Sequence, residues 1–231
     1  MKVKLLSITE NPVDLIYEGY RICYAKNLDN IQLKRIKTTE DKINWLLNFL
    51  SNGHETPLEH VNMTFEIEGV SRSLLAQLTR HRVGFSFNVQ SQRYVNANNF
   101  GSVLPKEVEK YPKAKKYAEE KIAEIFSAYN ELYNMLLDKY VTYDGLNEGI
   151  AKKLANENAR CLLPNACTCN LMVTCNLRAL RHFLSLRLCN HAQEEIRELA
   201  HEFVELVKPY IPFVDKDVMN CGKTCFNCIN K

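Results

Sequence analysis

The feature that most constrains the fold is a long segment, from Pro105 to Tyr140, in which apolar side chains recur with a helical period. Its apolar positions alternate steps of four and three residues: Ala118, Ile122, Ile125, Tyr129, Leu132 and Leu136. Lysine and glutamate fill the opposite face, which is typical of a solvated helix surface. Because one apolar stripe must be covered by other elements, the segment predicts a long helix on a substantial core.

Shorter patterns on both sides of this segment predict strands as well as helices. Val3 to Ile8 is apolar and β-branched, Asn62 to Glu68 alternates polar and apolar residues, and 166–175 is a strand or an extended connection. Caps and apolar periods predict five further helices, over 12–24, 38–50, 71–80, 176–188 and 190–207. The chain therefore predicts an α/β (α+β) fold that is rich in helix.

Composition excludes several classes of protein. The 231 residues are 46% hydrophobic and 25% charged, which is ordinary for a globular chain, and no repeat or linker-like stretch interrupts them. A net charge of +3 is too balanced for a nucleic-acid coat protein. No apolar run is long enough to span a membrane, and the N-terminus is unlike a signal peptide. We expect a cytoplasmic protein without nucleic-acid or membrane partners, with one domain over 1–215 and a cysteine-rich tail over 216–231.

The densest polar cluster begins with Arg80, His81 and Arg82, which follow an apolar helix and open a loop through Gly84. The next polar residues are Ser86, Asn88, Gln90, Ser91, Gln92, Arg93 and Tyr94. Guanidinium groups bind phosphate oxygens bidentately, and hydroxyl and backbone N–H groups would complete such a site. A single glycine makes the loop unlike a P-loop. The cluster predicts an anion site, with a solvated loop of surface arginines as the alternative.

A second cluster lies near the last two predicted helices. Its candidates are Asn176, Arg178, His182, Ser185, Arg187 and His191. Arg178, His182 and Ser185 share one helix face because they are four and three residues apart. Arg187 lies beside the apolar stripe, so it either extends from the core edge to solvent or is held against an anion or carbonyl. Arg160 adds a cation in another apolar context.

The cysteines do not predict a disulfide framework. Nine is an odd number, and a chain of this size needs no such framework to fold. The tail supplies Cys221, Cys225 and Cys228, one thiol short of a tetrahedral metal site, so a reduced tail and a metal site both stay open. His54 and His60 have no compact zinc spacing, and we expect no metal there. We expect buried structural thiols at Cys161, Cys167, Cys169, Cys175 and Cys189.

Arg80-His81-Arg82, followed by Ser91-x-Arg93-Tyr94, resembles the signature of the flavin-dependent thymidylate synthases, the ThyX family. The resemblance continues on both sides, in one order, from about residue 50 to about residue 200. The further segments that carry it are 53–60, 176–178, 186–187 and 191–193.

This resemblance implies a single ThyX-like domain with a small, mostly antiparallel sheet, and a homotetramer whose sites are built from more than one subunit. It implies reductive methylation of dUMP to dTMP, with methylenetetrahydrofolate as the carbon donor and NADPH-reduced FAD as the hydride donor. The residues that it implies for FAD are Asn62 (from a neighbouring subunit), Arg80, His81, Arg82, Asn176, Arg178, His182 and His191. Those that it implies for dUMP are Gln77, Arg80, Ser91, Gln92, Arg93, Arg160 and Arg187.

The resemblance also implies that Arg187 contacts the uracil and favours ionisation at N3. Ionisation at N3 increases electron density at C5, where the one-carbon unit is accepted, and a half-buried guanidinium would stabilise the developing anion. This chemistry needs no protein nucleophile. Ser91 is therefore the simpler candidate for phosphate binding, since the sequence places no histidine or aspartate to activate it.

Two departures from the family pattern affect the comparison. The stretch from Val83 to Gln90 is one residue longer than the common spacing, which leaves the alignment of Val83, Gly84 and Phe85 ambiguous by one place. Val89 stands where many relatives have an acid. Two other functions stay open: a non-catalytic nucleotide- or RNA-binding module using the same arginines, and a metal or redox protein organised by the C-terminal cysteines.

Overall fold

Four strands form one antiparallel sheet, in the order β1-β2-β4-β3, in the computed structural model, which describes residues 1–27, 38–216 and 218. The strands are β1 (Lys2–Ile8), β2 (Asn62–Ser71), β3 (Phe85–Val89) and β4 (Thr168–Asn176). The α-helices are α1 (Pro12–Ile22), α2 (Thr39–Leu50), α3 (Arg72–Leu78), α4 (Lys106–Glu109), α5 (Pro112–Asp138), α6 (Glu148–Ala159), α7 (Leu177–Arg187) and α8 (Glu194–Val207). The helix-rich α+β fold expected from the sequence is confirmed.

Local capping explains where several helices begin. The Thr38 hydroxyl accepts a hydrogen bond from the Asp41 N–H (3.2 Å) at the start of α2, and the Ser71 hydroxyl accepts one from Leu74 (3.0 Å) at α3. The predicted start of the last helix at Asn190 is wrong. Residues 189–192 form a turn, the Asn190 carbonyl accepts a hydrogen bond from Arg197 (3.1 Å), and α8 starts after Gln193.

The long helix predicted over 105–140 is interrupted near its start. Tyr111 is extended, with φ −104° and ψ 97°, because the ring of Pro112 disfavours helical geometry in the residue before it. Pro112 then takes the first position of α5, where its missing N–H costs nothing. The apolar stripe of α5 is covered only in part. Tyr129 is buried, and the other apolar residues of the stripe are half-buried.

The chain divides into two compact units. The terminal unit comprises residues 2–67, 78–87 and 172 onwards, and the central unit comprises Met1, 68–77 and 88–171. The single domain over 1–215 stays a prediction. Cys221, Cys225 and Cys228 of the tail lie outside the described residues.

An aromatic core organises the terminal unit. The rings of Phe65 on β2 and Phe203 on α8 stack with centroids 4.2 Å apart, and Phe183 on α7 packs against Phe203 at 5.6 Å. Met63 and Ile67 are buried beside Phe65, which confirms the predicted alternation along β2. This packing fixes α7, the helix that carries most of the second polar cluster.

Helices α5 and α6 pack against each other in the central unit. Tyr129 on α5 is buried in a cluster with Ala97 and Ala159, and Phe126 and Leu132 pack around it. The cluster fixes α6 and the segment around Ala97, which follows the polar residues 91–94.

The cysteines have three different environments. Cys167, Cys169 and Cys175 are buried as expected, and burial raises the pKa of the Cys167 thiol to about 11 and that of Cys175 further. Cys189 is half-buried. The prediction for Cys161 is wrong, because this residue lies in an exposed turn after α6. No helix in the described part of the chain is long and apolar enough to cross a membrane.

Candidate active site

A cavity of about 540 Å³ lies in the terminal unit, between the segment after α3 and one face of α7. Its lining residues are Arg80, His81, Arg82, Val83, Phe85, Ala179, His182, Leu186 and Arg187. The structure thus brings together five of the candidate residues from two separate stretches of sequence. Among the described residues that line the cavity there are three arginines and no carboxylate, so its charge favours an anionic ligand.

His81 and Arg187 form the central contact of this cavity. The Nε of Arg187 donates a hydrogen bond to Nε2 of His81 at 3.1 Å. The His81 ring is 9% exposed and packs edge-on against Phe183, with centroids 5.0 Å apart. Because Nε2 accepts this bond, the ring proton of neutral His81 is on Nδ1. Arg187 is half-buried and donates to a neighbouring histidine ring, a contact that neither sequence alternative included.

The electrostatics keep His81 neutral. The pKa of His81 is lowered from 6.5 to about 4, mainly by burial. Electrostatic repulsion by Arg187, and then by His182 and Arg80, adds to this lowering. Burial and Arg80 also lower the pKa of Arg187, but from so high a value that it stays charged at neutral pH. The pair is a neutral acceptor that orients a permanent cation.

Gly84 allows the cavity wall to approach α7 closely. It has φ +73°, and a Cβ at this position would lie 2.6 Å from the Cβ of Ala179 and 2.9 Å from the side-chain nitrogen of Asn176. Its carbonyl accepts a hydrogen bond from the Asn176 N–H at 3.1 Å. The Asn176 side chain in turn caps α7 by accepting the Ala179 N–H at 2.8 Å.

The loop expected after Gly84 is instead a strand. Phe85, Phe87 and Val89 alternate with polar residues along β3, and the Phe85 and Phe87 rings stack at 5.8 Å. The alternation is visible in the sequence, but the surrounding polar residues obscured it. Since β3 is in the sheet, its first residue, Phe85, is buried and forms part of the cavity wall.

The other residues implied for FAD in the terminal unit do not line this cavity. Asn176 is the cap of α7, and Arg178 is exposed and paired with Glu59 and Glu55. The hydrogen bond that Arg178 donates to the Glu59 carboxylate is the main cause of the raised pKa of Arg178. Asn62 is exposed at the start of β2, where its backbone pairs with Thr9, and His191 is exposed in the turn before α8.

A second group of candidates lies in the central unit, around the turn after β3. The Ser91 hydroxyl accepts a hydrogen bond from the Arg93 N–H at 3.2 Å, and its carbonyl accepts one from Val95 at 3.0 Å. The Nε of Arg93 donates to a carboxylate oxygen of Glu157 on α6 at 2.7 Å. Arg160 is exposed and donates through Nε to the Glu157 carbonyl at 3.1 Å.

The two glutamines of the dUMP set have less defined roles. Gln77 on α3 is half-buried and donates to the Ser73 carbonyl at 3.4 Å, and Gln92 is half-buried in the turn. Both belong to the central unit, as do Ser91, Arg93 and Arg160. The residues implied for FAD all belong to the terminal unit, as do Arg80 and Arg187 of the dUMP set.

Sequence reasoning missed the carboxylate that pairs with Arg93. Glu157 is 64 residues away in the chain, and no local pattern relates the two. The available signal was the i, i+3 spacing of Glu157 and Arg160 at the end of a helix. It also missed Ala179, which lines the cavity on α7 beside the implied FAD residues.

The fold and the cavity together define an enzyme-like α+β protein with a cationic binding pocket, and comparisons with known proteins identify its family. The model of the thymidylate synthase complementing protein family matches residues 4–213. The chain is 39% identical over 228 residues to the flavin-dependent thymidylate synthase of Clostridium tetani, a match that covers 98% of this chain and 89% of that protein. It is 37% identical over 215 residues to that of Nitratidesulfovibrio vulgaris, covering 91% and 84% of the two chains.

A solved structure shows the same fold. Thymidylate synthase X from Helicobacter pylori, crystallised with FAD and dUMP, aligns with a TM-score of 0.62 at 22% identity, over 95% of this chain and 99% of that one. The chain belongs to the family of flavin-dependent thymidylate synthases.

Proposed function

We propose that this enzyme converts dUMP to dTMP by reductive methylation, with methylenetetrahydrofolate as the carbon donor and NADPH-reduced FAD as the hydride donor. Family membership supports the overall reaction. The structural observation that carries the proposal is the cavity lined by Arg80, Arg82, Arg187 and the neutral His81. The alternative of a non-catalytic nucleotide- or RNA-binding module is not favoured, because the relatives are named as enzymes.

The chemistry of the cavity fits a flavin nucleotide. The guanidinium groups of Arg80 and Arg82 provide donors for phosphate oxygens, while Val83, Phe85 and Leu186 supply apolar surface for a planar ring. Among the described residues that line it, no carboxylate would repel the diphosphate. When bound and reduced, FAD supplies the hydride for the methylation.

We assign FAD binding to Arg80, His81, Arg82 and His182 in the cavity, with Asn176, Arg178 and His191 as further contacts. Asn62 is proposed to contact the FAD of a neighbouring subunit. These roles follow the family resemblance, and the cavity supports the first four residues. We further propose a cytoplasmic homotetramer in which each site draws on more than one subunit.

For dUMP, we assign the phosphate to Ser91, Arg93 and Arg160 of the central unit. The Ser91 hydroxyl, which accepts from the Arg93 N–H, keeps its own O–H to donate to a phosphate oxygen. Gln77, Gln92 and Arg80 are further proposed dUMP contacts.

We assign the uracil to Arg187. His81 accepts a hydrogen bond from Nε of this guanidinium and so orients it towards a bound uracil, where the cation would meet a pyrimidine carbonyl and the ionised N3. Removal of the N3 proton raises electron density at C5, and the fixed cation stabilises the anion as it forms. No protein nucleophile takes part in this scheme.

The test is anaerobic incubation of the purified protein with FAD, NADPH, dUMP and methylenetetrahydrofolate, followed by chromatographic assay for dTMP. We expect a yellow protein with flavin absorbance, and dTMP formation that requires NADPH, dUMP, methylenetetrahydrofolate and bound or added FAD. A colourless protein that cannot be reconstituted with FAD, or dTMP formation by protein from which FAD has been removed, would overturn the proposal.

A further inference from the structure

Both arginines assigned to the phosphate of dUMP in the central unit are held by one residue. The Nε of Arg93 donates to the carboxylate of Glu157 at 2.7 Å, and the Nε of Arg160 donates to the backbone carbonyl of Glu157 at 3.1 Å. Within the described chain, neither arginine has a hydrogen-bonding partner for its terminal Nη nitrogens. Each guanidinium is therefore anchored at its inner nitrogen, while its outer pair of nitrogens is left for another acceptor.

The neighbouring residue anchors the backbone of the same turn. Asn156 is 5% exposed, and its side-chain N–H donates to the Arg93 carbonyl at 3.3 Å. Its side-chain oxygen accepts from the Tyr129 hydroxyl and from the Asn96 amide, each at 3.1 Å. Consecutive residues of α6 thus fix the main chain and the side chain of Arg93. This arrangement limits the orientations that the guanidinium can adopt.

We propose that Glu157 is a positioning residue whose carboxylate holds Arg93 for the phosphate of the substrate, while the backbone carbonyl of the same residue holds Arg160. This inference rests on the proposed function and adds a residue to it. A guanidinium can bind an oxyanion bidentately through its two Nη nitrogens or through Nε and one Nη. Glu157 occupies Nε of Arg93, so the edge formed by the two Nη nitrogens stays available to a phosphate. Because the Arg93 side chain is already held, it loses less conformational entropy when phosphate binds.

The experiment measures binding of dUMP and of deoxyuridine, which lacks the phosphate, to the FAD-loaded protein by calorimetry. We expect Glu157→Ala to raise the Kd for dUMP about tenfold, the effect of losing one hydrogen bond to a charged group, without changing that for deoxyuridine. Glu157→Gln keeps an acceptor for Arg93 and should restore most of the affinity. Glu148→Ala is the matched control, since it removes an exposed ion pair with Lys152 from the same helix and should change neither Kd.

Two outcomes would overturn the inference. Tighter dUMP binding by Glu157→Ala would show that Glu157 competes with phosphate, and an equal loss for dUMP and deoxyuridine would show a general structural role. A double variant tests whether Glu157 acts through Arg93. Glu157→Ala should weaken dUMP binding less in the Arg93→Ala protein than in the wild type. Binding of inorganic phosphate is measured as well, because it distinguishes failure of the Glu157 inference from failure of the proposed function. If the wild type binds phosphate but not dUMP, the substrate assignment fails, and Glu157→Ala must still weaken phosphate binding.

Discussion

The two units treat their candidate arginines differently. In the terminal unit, Arg187 is held by the neutral ring of His81, and the cavity around it has no carboxylate among its described lining residues. In the central unit, Arg93 is held by the carboxylate of Glu157. A neutral anchor orients a cation without reducing its charge, whereas a carboxylate orients it and offsets part of that charge.

This difference suits two different tasks. An anion that develops only during the reaction is stabilised best by a cation whose charge is not already balanced. A phosphate carries its charge throughout, so it needs geometric recognition, which a paired and oriented guanidinium still provides. The contrast predicts that changes in the terminal unit act mainly on the rate, and changes in the central unit mainly on substrate affinity.

The largest expected effect is that of Arg187→Ala. We expect kcat to fall about 10²- to 10³-fold, because the cation that stabilises the uracil anion is lost, while the protein still binds FAD. Steady-state kinetics and flavin absorbance of the purified variant measure both. Arg93→Ala is the comparison variant and should act mainly on KM for dUMP. A near-normal rate for Arg187→Ala would remove its proposed role at N3.

Gly84→Ala should strongly destabilise the terminal unit. The new Cβ would lie 2.6 Å from that of Ala179, in a backbone conformation with φ +73°, so we expect a loss of about 2–4 kcal/mol in the free energy of unfolding. Gly145→Ala in the central unit is the control: φ is +65°, nothing lies within 4 Å, and the loss should be about 1 kcal/mol. Urea unfolding measures both, and equal losses would contradict the close approach of Gly84 to α7.

His81 should make the stability depend on pH. Its pKa is about 4 in the folded protein and 6.5 when unfolded, so the unfolded chain binds the extra proton between these values. The contribution of neutral His81 to the free energy of unfolding is complete above pH 6.5 and is lost as the pH falls towards 4. The total loss is at most about 3 kcal/mol.

The check compares the unfolding free energies of wild type and His81→Gln from pH 7 to pH 4.5. The difference between the two proteins should shrink as the pH falls, since glutamine does not titrate. A difference that is constant with pH would show that His81 is not held neutral by the fold.

The smallest expected effect belongs to Tyr129→Phe in the central unit. The variant loses the hydroxyl that donates to Asn156 and accepts from the Ala97 N–H, so we expect about 1 kcal/mol of destabilisation. Because Asn156 holds the backbone of Arg93, the variant should also raise KM for dUMP slightly without lowering kcat. A fall in kcat alone would contradict the division of tasks between the two units.

Much of the local structure was predictable because it depends on short-range chemistry. The caps at Thr38 and Ser71 form as expected, and alternation identified β2. Predictions failed where a competing local effect dominated, as when Pro112 interrupted the long helix. They also failed at β3, whose period-two pattern is short and surrounded by polar residues.

The sequence by itself determined the order of the motifs, and through them the family and the candidate residues. It could not determine which candidates meet. Only the tertiary structure decided that His81 holds Arg187 across 106 residues and that Glu157 holds Arg93 across 64. The physical reason is that hydrogen bonds between side chains distant in sequence depend on how whole elements pack, and local periodicity carries no information about that packing.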